Sequence, residues 1–311
     1  MLDYQSWLRV SESKHLKLEG GNAVEGVTRI NQENVEATLA KAFSMVLPSL
    51  RLTKNDVKIL GSTGKKNPGG TSGDIDMAIS LTAMANSGTF KGIIFDSSSA
   101  TIAELTKEIG DIMKRKFDQV HAMPGLGIVS IAFPIVNTDK KQAGQNVQLD
   151  LMITDDLEYT GFAYHSPYEK DSKYKGIYRN MFLFAIAGEI QKKVLSTCTD
   201  ADGCEIPETW SRYWFDMKNG VMKGIQSIKG AKGILKNPKV VSKEPITRVP
   251  LEVVRFLLGP TFDLTDVDSF EKIYKAVNSG AFAHKKYKQQ ILAKLTDSLE
   301  KQGLPLPDEL Q

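Results

Sequence analysis

The chain has 311 residues, more than a single domain usually holds, so two domains are expected. With 41% hydrophobic and 25% charged residues it has a globular composition, which excludes a disordered polyelectrolyte, and a formal net charge of +3 is too small to dictate a partner. No stretch approaches a membrane-spanning length, residues 1–10 lack a secretory pattern, and Cys198 and Cys204 fit neither a disulfide framework nor a zinc spacing; a cytoplasmic protein with reduced thiols and no membrane partner is expected.

Taken in chain order, Asn31 is placed to cap a helix whose apolar stripe is Val35, Leu39, Ala42 and Val46, ending before Pro48. Residues 57–60 then read as a short strand running into Gly61 and Ser62, followed by a Gly-, Lys- and Pro-rich loop over 63–73. The run 74–81 alternates polar and apolar, the period of a half-buried strand. A helix opening at Ser99 buries Ile102, Leu105, Ile109, Ile112 and Met113. Two strand-like runs, 128–136 and 147–153, flank a polar turn with Asp139, Lys140, Lys141 and Gly144 and read as a hairpin. From residue 174 onward helices are expected over 174–195, 251–258, 269–277 and 282–302, with a lysine-rich, glycine-bearing surface segment over 218–248. No internal repeat interrupts this order. The domain boundary is expected within 155–172, giving domains 1–165 and 166–311.

The chemistry concentrates in the first half. Residues two apart on a strand share a face, so Asp74 and Asp76 point one way while Ile75, Met77 and Ile79 point into the core. In 147–153 the apolar positions 147, 149, 151 and 153 form the core face, which puts Asp150 on the opposite one. If the hairpin packs beside the strand of Asp74, three carboxylates converge, and a divalent cation relieves their repulsion. Hard oxygen ligands suit magnesium, with manganese an alternative; such a cluster can hold two ions, one at the attacking hydroxyl and one at the phosphates. Upstream, Gly61 lets a phosphate approach the backbone, Ser62 and nearby amides offer donors, and Lys65 and Lys66 are placed to meet a triphosphate. The four histidines are scattered singly and suggest no metal site.

Leu60-Gly61-Ser62, then Asp74-Ile75-Asp76-Met77 about a dozen residues on, then Asp150 on a later strand, resembles the DNA polymerase β nucleotidyltransferase superfamily over residues 57–153. The resemblance implies a small mixed sheet backed by helices; together with the helices read after residue 174, an α+β chain with a mainly helical C-terminal domain that helps to bind nucleotide or acceptor is expected. The resemblance also implies two magnesium ions and transfer of a nucleoside monophosphate from a nucleoside triphosphate to an acceptor hydroxyl, releasing pyrophosphate. By the same likeness Gly61 and Ser62 grip the triphosphate, Asp74 and Asp76 bind both metals, and Asp150 binds the nucleophile-side metal and helps to activate the hydroxyl.

Several readings compete with this one. A P-loop fails because Lys66 follows Lys65 and Asn67-Pro68-Gly69-Gly70 forbids an immediate helix. A serine hydrolase fails because no Gly-x-Ser-x-Gly surrounds Ser62. A non-catalytic nucleotide or nucleic-acid binding module on the same fold stays open, although all three carboxylates are present. On the helix after residue 174, Lys175 and Arg179 lie one turn apart and either contact nucleotide or form a solvated basic edge, whereas Tyr174 and Tyr178 are expected to pack. The lysines of 218–248 make an RNA 3′ end the first choice of acceptor, with a small molecule, a protein or a second nucleotide open. Gly20, Gly21, Asn22 and Arg29 form a polar loop bordering the site in this reading, and the acids Asp263, Asp266, Asp268 and Glu271 mix with capping positions and are expected to be structural. Oligomeric state is not legible.

Overall fold

The computed structural model describes residues 23–190, 193–199, 203, 205–230 and 233–311. Residues 1–10, His15, Gly20, Gly21, Asn22 and Cys204, all considered above, lie outside the described residues. The chain divides into two compact units, Met1–Lys173 and Tyr174–Gln311.

In the first unit β1 (Ile30–Asn31) leads into α1 (Gln32–Met45), followed by β2 (Val57–Ile59), β3 (Thr71–Ser72) and β4 (Asp74–Ser80). After α2 (Leu81–Asn86) and α3 (Ser99–Lys114) come β5 (Val120–Met123), β6 (Ile128–Val136), β7 (Gln142–Thr154) and α4 (Leu157–Ala163). Five strands form one sheet in the order β2-β4-β7-β6-β5, while β1 and β3 pair separately. Only β4 and β7 run parallel in the larger sheet; its other neighbours are antiparallel, so it is mixed.

The expected alternation is met along both central strands. Ile75, Met77 and Ile79 of β4 and Val147, Leu149, Leu151 and Ile153 of β7 share one core with Val35 and Ala42 of α1 and Ile102, Leu105, Ile109 and Met113 of α3. Both helices therefore cover one sheet face, and the even-numbered side chains of β4 and β7 are left on the other. Ser98 caps α3 by accepting the amide of Thr101. Asn31 occupies the cap position of α1, but its side chain makes no cap bond; its extended backbone instead pairs with Thr71 of β3. Buried Thr38 ties α1 to the sheet, accepting from the amide of Val136 at 3.0 Å. The expected hairpin is β6–β7, with Val136 opposite Gln142 across the turn.

The second unit is not mainly helical. Around α5 (Gly176–Glu189) it builds a four-stranded antiparallel sheet from β8 (Lys193–Thr199), β9 (Glu205–Asp216), β10 (Gly220–Gly230) and β11 (Gly233–Thr247), in the order β11-β10-β9-β8. Helices α6 (Pro250–Leu258), α7 (Phe270–Asn278) and α8 (Lys288–Lys301) follow. The expected helix 174–195 stops at Glu189 because Ile190 turns extended, and β-branched Val194, Thr197 and Thr199 continue as strand. Helix 282–302 likewise begins only at Lys288. The lysine-rich segment 218–248 is not a solvated loop but two paired strands. Their register shifts near Val221, Ile225 and Ser227 break the period-two pattern that would have marked them, and lysine is a poor strand former.

Helix α5 is apolar on nearly every side, with Tyr178, Met181, Phe182, Leu183, Ala185, Ile186 and Ala187 buried, as befits a central helix. Phe184 packs against Phe215 of β9, and Phe270 gathers Tyr174, Tyr178 and Phe182. Tyr174 and Tyr178 are thus packed, as expected. Ser269 caps α7 and Asp263 caps the short turn before it, so two of the residues in that polar stretch serve as helix caps. No helix among the described residues is long and apolar enough to cross a membrane.

The Leu151 side chain is fully buried at the centre of the first unit's core. Leu151→Ala should destabilise that unit by about 2–5 kcal/mol, read as an earlier midpoint in urea unfolding followed by circular dichroism.

Candidate metal and phosphate site

The parallel pairing of β4 with β7 aligns Asp76 directly with Asp150, and Asp74 with Gln148. Paired residues on neighbouring strands project from the same face, so all three carboxylates stand together on the face opposite α1 and α3. One oxygen from each of Asp74, Asp76 and Asp150 lies within 4.8 Å of the others. Two oxygens bound to one magnesium stand at most about 4 Å apart, given bond lengths of about 2.1 Å. Small side-chain rotations therefore suffice for a shared ion, and the oxygen-only donor set suits a hard divalent cation.

The electrostatics agree with a site built for added positive charge. Burial first, and Asp150 second, push the Asp74 carboxyl up to about 6, with Arg29 pulling it down. Burial, then Asp74 and Asp150, hold Asp76 well above the ordinary carboxylate range. Burial also raises Asp150, opposed by the Ser130 hydroxyl and the Gln148 carboxamide. Of those two, Gln148 makes the firm contact: its Nε2 donates to both Asp150 oxygens, at 3.0 and 2.9 Å. Ser130 stands opposite Asp150 in the β6–β7 ladder, but among the described residues its buried Oγ meets no partner in ordinary hydrogen-bond geometry.

Beyond β2 the chain reaches the same carboxylates. The Leu60 amide donates to the carbonyl of Asp76, and the Gly61 amide to that of Tyr164. Gly61 has φ of 62°, the left-handed region, and a Cβ added there would lie 3.0 Å from Asp76 Oδ2. Only glycine lets the backbone pass so close to that carboxylate without strain. Among the described residues the next two amides, of Ser62 and Thr63, make no hydrogen bond, and they follow a left-handed residue as in anion-binding backbone concavities. Thr63 itself is buried, with its hydroxyl 3.5 Å from the Asp74 carbonyl.

From Lys65 onward the loop is bound mostly to the protein. Lys65 does not turn its ammonium out to solvent: Nζ donates to the Ser166 carbonyl at 2.7 Å and lies 5.9 Å from the centre of the Tyr168 ring. The Lys66 amide donates to Gln32, that of Asn67 to Glu169 and that of Gly69 to Glu33. Among the described residues the amides of 61–70 left without a hydrogen bond are those of Ser62, Thr63 and Gly64, and the Lys66 side chain is half-buried.

Comparison with known proteins adds a resemblance. No family model matches this chain, and no curated protein matches it. Two solved structures of Leishmania infantum polymerase beta are similar to it. One, a ternary P/T complex, is 13% identical at a TM-score of 0.40, over 78% of this chain and 77% of that one. The other, a ternary gap complex, is 12% identical at a TM-score of 0.33, over 91% of this chain and 70% of that one. The chemical reading of the site rests on its own geometry.

Lys175 and Arg179 belong to the second unit. Lys175 is exposed at the cap of α5. Arg179 is 1% exposed; its Nε donates to the Val267 carbonyl and another guanidinium nitrogen to Asn180, so it serves the packing of its own unit rather than offering a free cation. The sequence reading missed Gln148. Its signal was present, since position 148 shares the parity of Asp150, but a polar residue on an open strand face attracts no notice until a partner is placed beside it. Arg29, weighed from sequence as a bordering residue, does act on Asp74, and Thr71 fixes it by accepting from Nε at 2.8 Å.

Two predictions follow from this geometry. A carboxyl whose folded pKa exceeds its unfolded value holds more protons in the native state, so stability falls as pH rises through that interval. The metal-free protein should lose thermal stability between pH 4 and 6 as Asp74 ionises, since its pKa rises from 3.8 to about 6. Magnesium or manganese should restore the loss at pH 8, as read by differential scanning fluorimetry with and without chelator. Gly61→Ala places a methyl against Asp76 in a left-handed conformation, and should cost about 1–2 kcal/mol and weaken manganese binding in a direct titration.

Proposed function

We propose that this chain is a divalent-metal-dependent nucleotidyltransferase that moves a nucleoside monophosphate from a nucleoside triphosphate to an acceptor hydroxyl, with release of pyrophosphate. The observation that carries this reading is the convergence of Asp74, Asp76 and Asp150, with raised proton affinities, beside the Gly61 turn. A surface acidic patch would keep ordinary carboxylate pKa values in water. Three half-buried carboxylates facing one another are costly unless neutralised by protons or a cation.

In this reading Asp74 and Asp76 would hold both magnesium ions, or manganese in their place, and Asp150 would complete the one at the acceptor side. When bound, the ions supply charge neutralisation for the triphosphate and a lowered pKa for the attacking hydroxyl. The chain's own part is positioning. The Ser62 and Thr63 amides and the Ser62 hydroxyl donate to phosphate oxygens, and the bare backbone of Gly61 lets them approach. Asp150, held by Gln148 at both oxygens, presents one fixed orientation toward the acceptor hydroxyl. Arg29 supplies positive charge next to Asp74.

An RNA 3′ end is the first acceptor to test. Exposed Lys239 and Lys243 on β11 support a polyanion, whereas Lys223 is already paired with Glu244 across the strands at 3.3 Å. Each nucleoside triphosphate labelled at the α-phosphate is incubated with the protein, magnesium and a cell extract, and the label is followed into RNA, protein and small-molecule fractions. Transfer should need the metal, and Asp76→Asn should reduce it to background. If all four nucleotides bind but none is transferred, with magnesium or with manganese, the chain is a binding module on this fold and the enzymatic reading is wrong.

A further inference from the structure

The side chain of Gln148 is a bridge with three ends. It is 3% exposed, although it sits on the polar face of the sheet. Its Nε2 donates to both oxygens of Asp150, and its Oε1 accepts the backbone amide of Ala23 at 2.8 Å. A carboxamide offers two donor hydrogens and an acceptor oxygen, and here both its ends are engaged at once. The donor end can face only the carboxylate, because the acceptor end is claimed by a group that can only donate. Its orientation is therefore set by the amide of Ala23.

That amide belongs to a backbone arm, residues 23–28, laid along the start of β7. Val27 bridges Asn146 in parallel, and the Thr28 amide donates to the Asn146 carbonyl at 2.7 Å. The residue directly after the arm is Arg29, which acts on Asp74, and β1 begins one residue further on. The arm and the residue that follows it thus reach the acidic cluster at two different carboxylates, by charge at Asp74 and through Gln148 at Asp150.

We propose that Gln148 is a positioning residue, which locks the Asp150 carboxylate in one rotamer for its cation and reaction partner and is itself oriented by the backbone of the 23–28 arm; this rests on the metal-dependent reading above. Free to rotate, an aspartate offers its oxygens in many directions. Held at both oxygens from one side, it keeps its remaining lone pairs aimed at the space it shares with Asp74 and Asp76. Groups that orient a metal ligand in this way commonly contribute 10- to 100-fold in affinity or activity.

The test measures manganese binding by electron paramagnetic resonance on the full chain, without nucleotide, for wild type, Gln148→Met and Ala23→Pro. Methionine keeps the length of glutamine and removes both hydrogen-bonding ends. Proline at 23 leaves the atoms of Gln148 unchanged, removes the amide hydrogen that orients it and puts the ring Cδ where that hydrogen lay, so Oε1 loses its partner and is pushed from its place. Gln148→Met should weaken manganese binding at least tenfold, and Ala23→Pro should weaken it by a smaller factor of about three or more, with thermal midpoints near wild type. In the α-phosphate label assay both should lower kcat with little change in KM for the nucleotide. A role in packing alone predicts no effect of Ala23→Pro on manganese, and binding within twofold of wild type for both variants would overturn the proposal while leaving the metal site intact. Should Gln148→Met fail to fold, Ala23→Pro alone decides. Wild-type protein that binds no manganese would instead sink the metal reading itself.

Discussion

Everything around the site is organised by the repulsion of three carboxylates placed on adjacent strands. Asp76 and Asp150 are partners across a parallel ladder, and Asp74 is one pleat away on the same face. In water three such groups would tolerate one another at little cost; partly buried, Asp150 raises the proton affinity of Asp74, and both raise that of Asp76. The arrangement persists because the opposite face of the same strands is committed to the core. Moving any one carboxylate away by a register slip would drive Ile75, Met77, Leu149 and Leu151 out of it. Core packing thus holds in place a cluster that electrostatics alone would disperse.

The surroundings of the cluster divide into groups that leave room for a ligand and groups that stiffen the frame. Gly61 gives up its side chain so that backbone can lie against Asp76. The loop beyond it is bound at both flanks, by Gln32 and Glu33 of α1 on one side and by Ser166 and Glu169 on the other. Among the described residues its unused amides over 61–70 are those of Ser62, Thr63 and Gly64. Lys65, which looked from sequence like a free cation, is folded back onto the Ser166 carbonyl.

The first unit was legible because its signals are local and periodic. Alternation in 74–81 and 147–153 located the core face and, by exclusion, the carboxylate face. The second unit was legible only in its helices. Its sheet is made of strands rich in lysine and glycine with register shifts, so neither strand propensity nor period two announces them. Arg179 shows the same limit at the level of one residue. A helix places it one turn from Lys175, but only the packed position of the Val267 carbonyl decides that it turns inward while Lys175 stays in water.

What the sequence by itself determined is which residues share a face: the spacing of Asp74 and Asp76, the parity of Asp150 against the apolar set, and the glycine before Ser62. These are consequences of backbone periodicity and need no knowledge of neighbours. What only the tertiary structure decided is which faces meet. That β7 runs parallel to β4 with Asp150 opposite Asp76, that Gln148 reaches from Asp150 to the Ala23 amide, and that Lys65 is drawn to Ser166 all depend on contacts between residues far apart in the chain. Such contacts are chosen by how the whole core closes, and no local pattern encodes that choice.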